Sequence, residues 1–145
     1  MPNVGYTGDP AVPLRLPTPP EAPAAFPDLA DVEERFIAVG GDFVVVAEGD
    51  AVVAMGGFKP TTSRSAEVLR VRVHPARRRR GHGRALVREL ERRARRAGFS
   101  ELTLDTATNQ PEAVGFYLAL GYHELRRETR PEWTWTLVYF GKSLA

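Results

Sequence analysis

The pattern of apolar and polar positions changes period along the chain. Residues 43–48 and 51–58 are valine-rich apolar runs separated by Gly49 and Asp50, and a glycine-containing pair between two such runs predicts a β-hairpin. A polar turn at 61–65 leads into residues 67–74, which alternate. Leu69, Val71 and Val73 fall on one face, with Val68, Arg70 and Arg72 on the other. Pro75 cannot donate to a ladder, so that strand stops there. From 83 to 97 the period becomes helical, with Leu86, Leu90, Ala94 and Ala97 on one stripe. Arg88, Glu89, Arg92, Arg95 and Arg96 face outward, and Gly98 suits the left-handed residue that ends a helix. Residues 101–106 alternate again, Leu102 and Leu104 against Thr103 and Asp105. A second helix opens at Asn109-Gln110-Pro111-Glu112, where an amide caps, proline occupies the first turn and an acid meets the positive helix end. It runs to Leu120, and Gly121 stops it. Residues 122–129 and 133–143 read as a closing antiparallel pair. On that reading Trp133, Trp135, Leu137 and Tyr139 share a strand face, as core or as the surface of a homodimer.

Upstream of the hairpin, seven prolines (Pro10, Pro13, Pro17, Pro19, Pro20, Pro23 and Pro27) block regular helix and ladder pairing, so residues 1–27 read as an irregular arm. A short helix at 28–39 carries Leu29, Val32 and Phe36 at helical spacing and ends at Gly40-Gly41. Residues 28–145 then form one domain. Strands, helix, strand, helix and two more strands define an α+β, mixed class, with one crossover that makes a locally parallel pair.

Composition narrows the function classes. A chain of 145 residues fits one domain. No apolar run approaches the ~20 residues that span a bilayer. The first residues lack the basic-then-apolar plan of a secretory signal, so the expected location is cytoplasmic. Cysteine is absent, which excludes disulfides, thiolate metal sites and a cysteine nucleophile. His74, His82 and His123 have no ligand spacing, and no metal site is expected. The net charge of +2 hides an asymmetry: residues 70–96 hold twelve arginines against Glu89 and Glu91, whereas residues 1–69 hold four basic residues against ten acids. Such a field attracts nucleic acid, an anionic membrane or a phosphorylated cofactor.

Local sequence favours the last of these. Val71-Arg-Val-His-Pro-Ala-Arg-Arg-Arg-Arg-Gly-His-Gly-Arg-Ala-Leu86 is a strand, a loop with two glycines one residue apart, and an amphipathic helix. Gly81 and Gly83 permit positive φ and leave no Cβ in the way of a ligand. Backbone N–H groups converge at the helix start, where the dipole favours an anion, and neighbouring arginines add charge-assisted bonds. The spacing lacks the third glycine of a dinucleotide fingerprint and the Gly-Lys-Ser/Thr of a P-loop.

Arg78-x-x-Gly81-x-Gly83, after a strand ending in Val73-x-Pro75, resembles the Arg/Gln-x-x-Gly-x-Gly/Ala signature of the GNAT acyl-CoA N-acyltransferases. Thr108-Asn-Gln-Pro-Glu-Ala-Val-Gly-Phe-Tyr-Leu-Ala-Leu-Gly-Tyr122 is similar to the second family motif, a helix with Ala-x-x-x-Tyr that ends in Leu-Gly-aromatic. The resemblance covers residues 43–144. It implies a single twisted mixed sheet of about six strands with helices on both faces, and an acetyl-CoA cosubstrate in a splay between the strands flanking the crossover. Carried over by position, Val71 and Val73 would meet the pantetheine arm through their backbone. The pyrophosphate would sit on the turn formed by Arg78, Arg79, Gly81, His82, Gly83 and Arg84. Asn109 would lie near the pantetheine or the sulfur, unless it serves only as a helix cap. Tyr117 would protonate the departing thiolate, and Glu67 would take the proton of the amine. With no cysteine to carry the acetyl group, transfer to a primary amine, small or peptidic, would be direct, in a ternary complex.

Two other classes stay open on sequence. A non-catalytic acyl-CoA sensor would keep the cleft without turnover. A nucleic-acid-binding module would use the arginines at 77–80, although no aromatics are interleaved there for base stacking. Asp28, Asp31, Glu33 and Glu34 hint at a cationic acceptor.

Overall fold

The computed structural model describes residues 31–145, so the expected arm at 1–27 and the first three residues of the expected 28–39 helix lie outside the described residues. The described part of that helix is one π-helical turn, Glu33–Ile37, which buries Phe36 completely. The chain then builds β1 (Asp42–Glu48), β2 (Ala51–Pro60), β3 (Ser65–Val73), α1 (His82–Arg96), β4 (Glu101–Ala107), α2 (Pro111–Ala119), β5 (His123–Glu128) and β6 (Leu137–Ser143). One six-stranded sheet takes the order β1-β2-β3-β4-β6-β5. Among the described residues only β3–β4 is parallel, because α1 carries the chain across between them; the other neighbouring pairs there are antiparallel. The expected mixed α+β sheet is borne out. The Gly49-Asp50 turn joins β1 to β2, with Gly49 at φ 60°.

The two longer helices lie on one face, and the Glu33–Ile37 turn lies on the other. On the helix side, Leu86, Val87, Leu90 and Ala94 of α1 pack with Val68, Val71 and Val73 of β3, Leu102 and Leu104 of β4, and Val138 and Phe140 of β6. Leu86 and Leu90 are fully buried, so truncating either to alanine costs about 2–5 kcal/mol. On the opposite face Phe36 meets the ring of Phe43 edge-on at 5.0 Å, and the Lys59 ammonium sits over it at 4.5 Å.

Four expectations need correction. First, β3 does not keep a single alternation. Ala66 and Val68 face the core, then Arg70 adopts φ 60° and the parity shifts, so that Val71 and Val73 also face it. Met55 pairs with Arg72 while Gly57 pairs with Leu69, leaving Arg70 and Val71 opposite Gly56: a β-bulge. Leu69 therefore leaves the core face and Val68 takes its place. Arg72, on the face opposite Val71 and Val73, is only 3% exposed. Second, α1 buries Val87 and Glu91 and leaves Ala97 exposed. Third, α2 is capped by Gln110 rather than Asn109, with no side-chain cap bond. Fourth, β6 begins at Leu137, so Trp133 and Trp135 precede the strand and stack on each other, 5.4 Å apart and 10° from parallel.

Candidate active site

The parallel pairing fixes the site. β3 and β4 are joined over Ser65–Glu101, Ala66–Leu102 and Glu67–Thr103, and no further pair succeeds these, although β3 continues to Val73 and β4 to Ala107. A bulge sharpens local twist and bends its strand, and here it begins three residues after the last pair. The strands thus part towards their C-terminal ends, where ligands of open α/β sheets bind.

At the mouth of that splay stands the loop between β3 and α1. A 3-10 turn, Pro75–Arg77, is capped by the Nδ1 of His74, which accepts from the N–H of Ala76 at 3.1 Å. Arg79 (φ 63°) and Gly81 (φ 82°) then adopt left-handed backbone. A Cβ on Gly81 would meet nothing within 4 Å, so the glycine faces open space. Gly81 is the N-cap of α1 and offers no side chain to the first-turn N–H groups, and no acid stands in that turn. These amides are free for an anion. A cleft of about 340 Å3 opens on this turn, with Glu112 and Phe116 of α2 as its far wall. Arg78 lines it, and its Nε is buried with no hydrogen-bond partner.

The structure brings Val73, Arg78, Arg79, Gly81, His82, Gly83 and Arg84 together around this cleft. Val71 lies beneath, 1% exposed, with its Cγ2 2.9 Å from where a Cβ of Gly56 would stand. The His82 side chain is turned to Glu48, Nε2 to Oε1 3.3 Å, and the Nε of Arg77 donates to the other oxygen at 2.9 Å. Glu48, at the end of β1, therefore ties down both sides of the loop. Arg77 holds the Glu48 carboxyl below its ordinary pKa. Asn109 sits exposed in the turn before α2, outside the cleft lining.

Tyr117 is 1% exposed and adjoins Phe116 of the cleft wall; its ring meets Phe116 edge-on at 5.0 Å and Tyr122 at 5.6 Å. Burial raises its hydroxyl pKa well above the ordinary value, so it remains a proton donor at neutral pH. Glu67 projects from the last paired position of β3 on the face opposite the helices, in register with Lys59 and Thr103. Asp105, two residues beyond Thr103, shares that face. Burial, then the Asp105 charge, raise the Glu67 pKa against Arg70 and Lys59; burial also raises Asp105. Sequence reasoning misses Asp105 because only the parallel register puts it beside Glu67. Its alternation opposite Leu102 and Leu104 is the one available signal.

Much of the arginine charge is neutralised. Glu89 takes Arg92 and Arg93, which hold its carboxyl at about 2, Arg93 also reaches Asp42, and Arg95 donates to the Leu144 carbonyl. No cluster of three or more His, Asp or Glu side chains able to hold a metal ion occurs among the described residues. No helix among them is long and apolar enough to cross a membrane.

Comparison with known proteins agrees with this architecture. Residues 13–122 match the model of the acetyltransferase (GNAT) family, and the chain belongs to that family. It is 33% identical to human N-acetyltransferase 8 over 101 residues, 66% of this chain and 44% of that protein. Rat N-acetyltransferase 8F1 is 28% identical over 102 residues, 67% of this chain and 46% of the relative. The chain thus spans about half the length of the relatives it matches. Among solved structures, a GNAT acetyltransferase from Staphylococcus aureus superposes with a TM-score of 0.74 at 19% identity, over 86% of this chain and 81% of that one. An aminoglycoside 6'-N-acetyltransferase complexed with coenzyme A gives 0.71 at 19% identity over 81% of each chain. These likenesses establish the fold.

Proposed function

We propose that the chain is an N-acetyltransferase that moves acetyl from acetyl-CoA directly to a primary amine. The observation that carries this reading is the splay between β3 and β4 opening onto an uncapped, left-handed turn at the start of α1. The turn suits a diphosphate: open space at Gly81, unpaired first-turn amides, and a buried Arg78 Nε without a partner. Coenzyme A in the structure of the aminoglycoside enzyme is in keeping with the same use of the fold. The backbone of Val71 and Val73, past the last β4 pair, is left to bind the pantetheine amides. Arg79, His82, Gly83 and Arg84 complete the diphosphate cradle, with His82 contributing through its main chain because Glu48 holds its ring.

Acetyl-CoA supplies the thioester; the chain supplies proton transfer. An ammonium cannot attack, so a proton must leave to a base whose pKa lies near the operating pH. Glu67, whose pKa burial and the Asp105 charge raise from the ordinary carboxylate value, is the candidate for that role. The departing thiolate needs a proton, and Tyr117 is a neutral donor one residue from the cleft wall. No cysteine is present to form an acetyl-enzyme. The test is calorimetric titration with coenzyme A, then a thiol-release screen of a diverse primary-amine panel with acetyl-CoA. Binding heat and amine-dependent release are expected. Binding without release from any amine would leave a sensor, and no heat would remove the cofactor assignment.

A further inference from the structure

A buried ionic cluster lies beneath the end of α2, on the helix side of the sheet and away from Glu67. Its centre is Glu91 of α1, whose side chain is 4% exposed. Lys142 of β6, with a side chain 18% exposed, donates to both carboxylate oxygens at 3.1 and 3.2 Å. The Tyr122 hydroxyl donates to Oε2 at 2.8 Å, and Arg88 donates to Oε1 at 3.1 Å. Lys142 also donates to the carbonyl of Leu120, the C-cap of α2, at 2.8 Å. That ammonium therefore holds the negative end of α2 and neutralises a buried anion with the same three protons.

Two further bonds connect the cluster to the tyrosine assigned to thiolate protonation. The backbone N–H groups of Leu120 and Tyr122 both donate to the carbonyl of Tyr117, at 3.1 and 3.0 Å, and the Tyr122 ring packs edge-on against the Tyr117 ring. The last turn of α2 is thus gripped from α1 and β6 at the residues that fix where Tyr117 points. A helix end with only backbone bonds frays; this one is anchored by a charge.

We propose that Glu91, Tyr122 and Lys142 form a clamp that positions Tyr117, controlling turnover rather than cofactor affinity. The proposal rests on the reading of Tyr117 as proton donor. These three are positioning residues, since none lines the cofactor cleft. A displaced donor loses rate steeply with distance, whereas the diphosphate turn, held by Glu48 and the α1 N-terminus, keeps its geometry.

The test is a double-mutant cycle in turnover, using the fastest amine of the panel above. Lys142→Met and Tyr122→Phe are each made in the wild-type and Tyr117→Phe backgrounds, with Lys142→Arg as the charge-preserving rescue. Each single variant should lower kcat about tenfold with the coenzyme A Kd within about twofold, and Lys142→Arg should recover part of the loss. In the Tyr117→Phe background neither should lower kcat further, because the group they aim is gone. A purely structural role would instead multiply the kcat losses in the two backgrounds, which would overturn the clamp. Loss of coenzyme A affinity would overturn it too. Lys142→Met leaves a buried carboxylate short of a partner, so Tyr122→Phe, which removes one hydroxyl, decides the matter if Lys142→Met does not fold. Should Tyr117→Phe alone leave kcat unchanged, the donor assignment falls and takes the clamp with it. Should Tyr117→Phe slow turnover while the other losses multiply, only the clamp falls.

Discussion

Glu67 and Asp105 face the same space from two strands, and neither can ionise without raising the cost of ionising the other. Arg70, at the bulge, and Lys59, across the register, oppose that effect. If Glu67 must be deprotonated to accept the proton of the amine, kcat/KM rises with pH through the raised Glu67 pKa. Its acid limb then lies higher than an unperturbed glutamate would place it. Asp105→Asn removes a neighbouring negative charge, makes ionisation of Glu67 easier and should move that limb to lower pH. Glu67→Gln should abolish the limb and lower kcat/KM by about a hundredfold. A pH–rate profile of the three proteins checks both statements; an unmoved limb in Asp105→Asn removes the electrostatic coupling. Neither carboxylate has a sequence neighbour that announces it. Glu67 stands out in the sequence only by matching a family position, and Asp105 becomes visible only when the crossover register sets the strands side by side.

Among the elements, β3 carries the most consequence and is the hardest to read. Its sequence offers apolar residues at both parities, Val68 and Leu69 before Arg70, Val71 and Val73 after it. Simple alternation through Arg70 is therefore self-consistent and wrong, because no glycine marks the extra residue. Left-handed backbone at an arginine costs about 1–2 kcal/mol, and burial of Val68, Val71 and Val73 together offsets it. Gly56 makes room on the other side: a methyl group there would stand 2.9 Å from Val71 Cγ2 and 3.3 Å from Val71 Cα. Gly56→Ala should destabilise the fold by about 1–3 kcal/mol, read as a lower melting temperature. The turn at Gly81 is legible for the opposite reason, since its backbone demand is written in glycine. The Glu91 cluster is not, as Tyr122 and Lys142 lie 31 and 51 residues away from Glu91. Helix α1 gives a separate test. Arg92 and Arg93 hold the Glu89 carboxyl at about 2, below its usual 4.5. A depressed acid stabilises the fold above the higher value and loses that contribution as pH falls through the lower one. Glu89→Gln should therefore flatten the pH dependence of melting between about 4.5 and 2, and leave it unchanged where wild-type Glu89 is fully ionised in both states.

For the whole molecule, the charge map changes meaning once the fold is known. The sequence shows an arginine belt; the structure shows Arg77, Arg88, Arg92 and Arg93 engaged with Glu48, Glu91, Glu89 and Asp42. What remains concentrated is the group around the cleft, Arg78, Arg79 and Arg84. Three cations around a compact hollow fit one diphosphate better than an extended polyanion. Coenzyme A at about a hundred times its Kd should therefore stabilise the protein by about 2.7 kcal/mol, seen as a raised melting temperature. Fluorescence anisotropy with a random DNA duplex should show no binding at physiological salt. Tight, steeply salt-dependent DNA binding would reverse that assignment.

The three residue pairs that join β3 to β4 have one more implication. Among the described residues they are the only rungs between a β1-β2-β3 leaf and a β4-β6-β5 leaf. A guest lying in the gap would supply main-chain partners that the polypeptide itself withholds, acting as a seventh strand shared by both leaves. Those β3 amides past Glu67 that point away from β2 would then exchange with deuterium quickly in the empty protein and slowly when the gap is filled. On the proposed function, the cosubstrate would thus also serve as the splint that makes the sheet continuous.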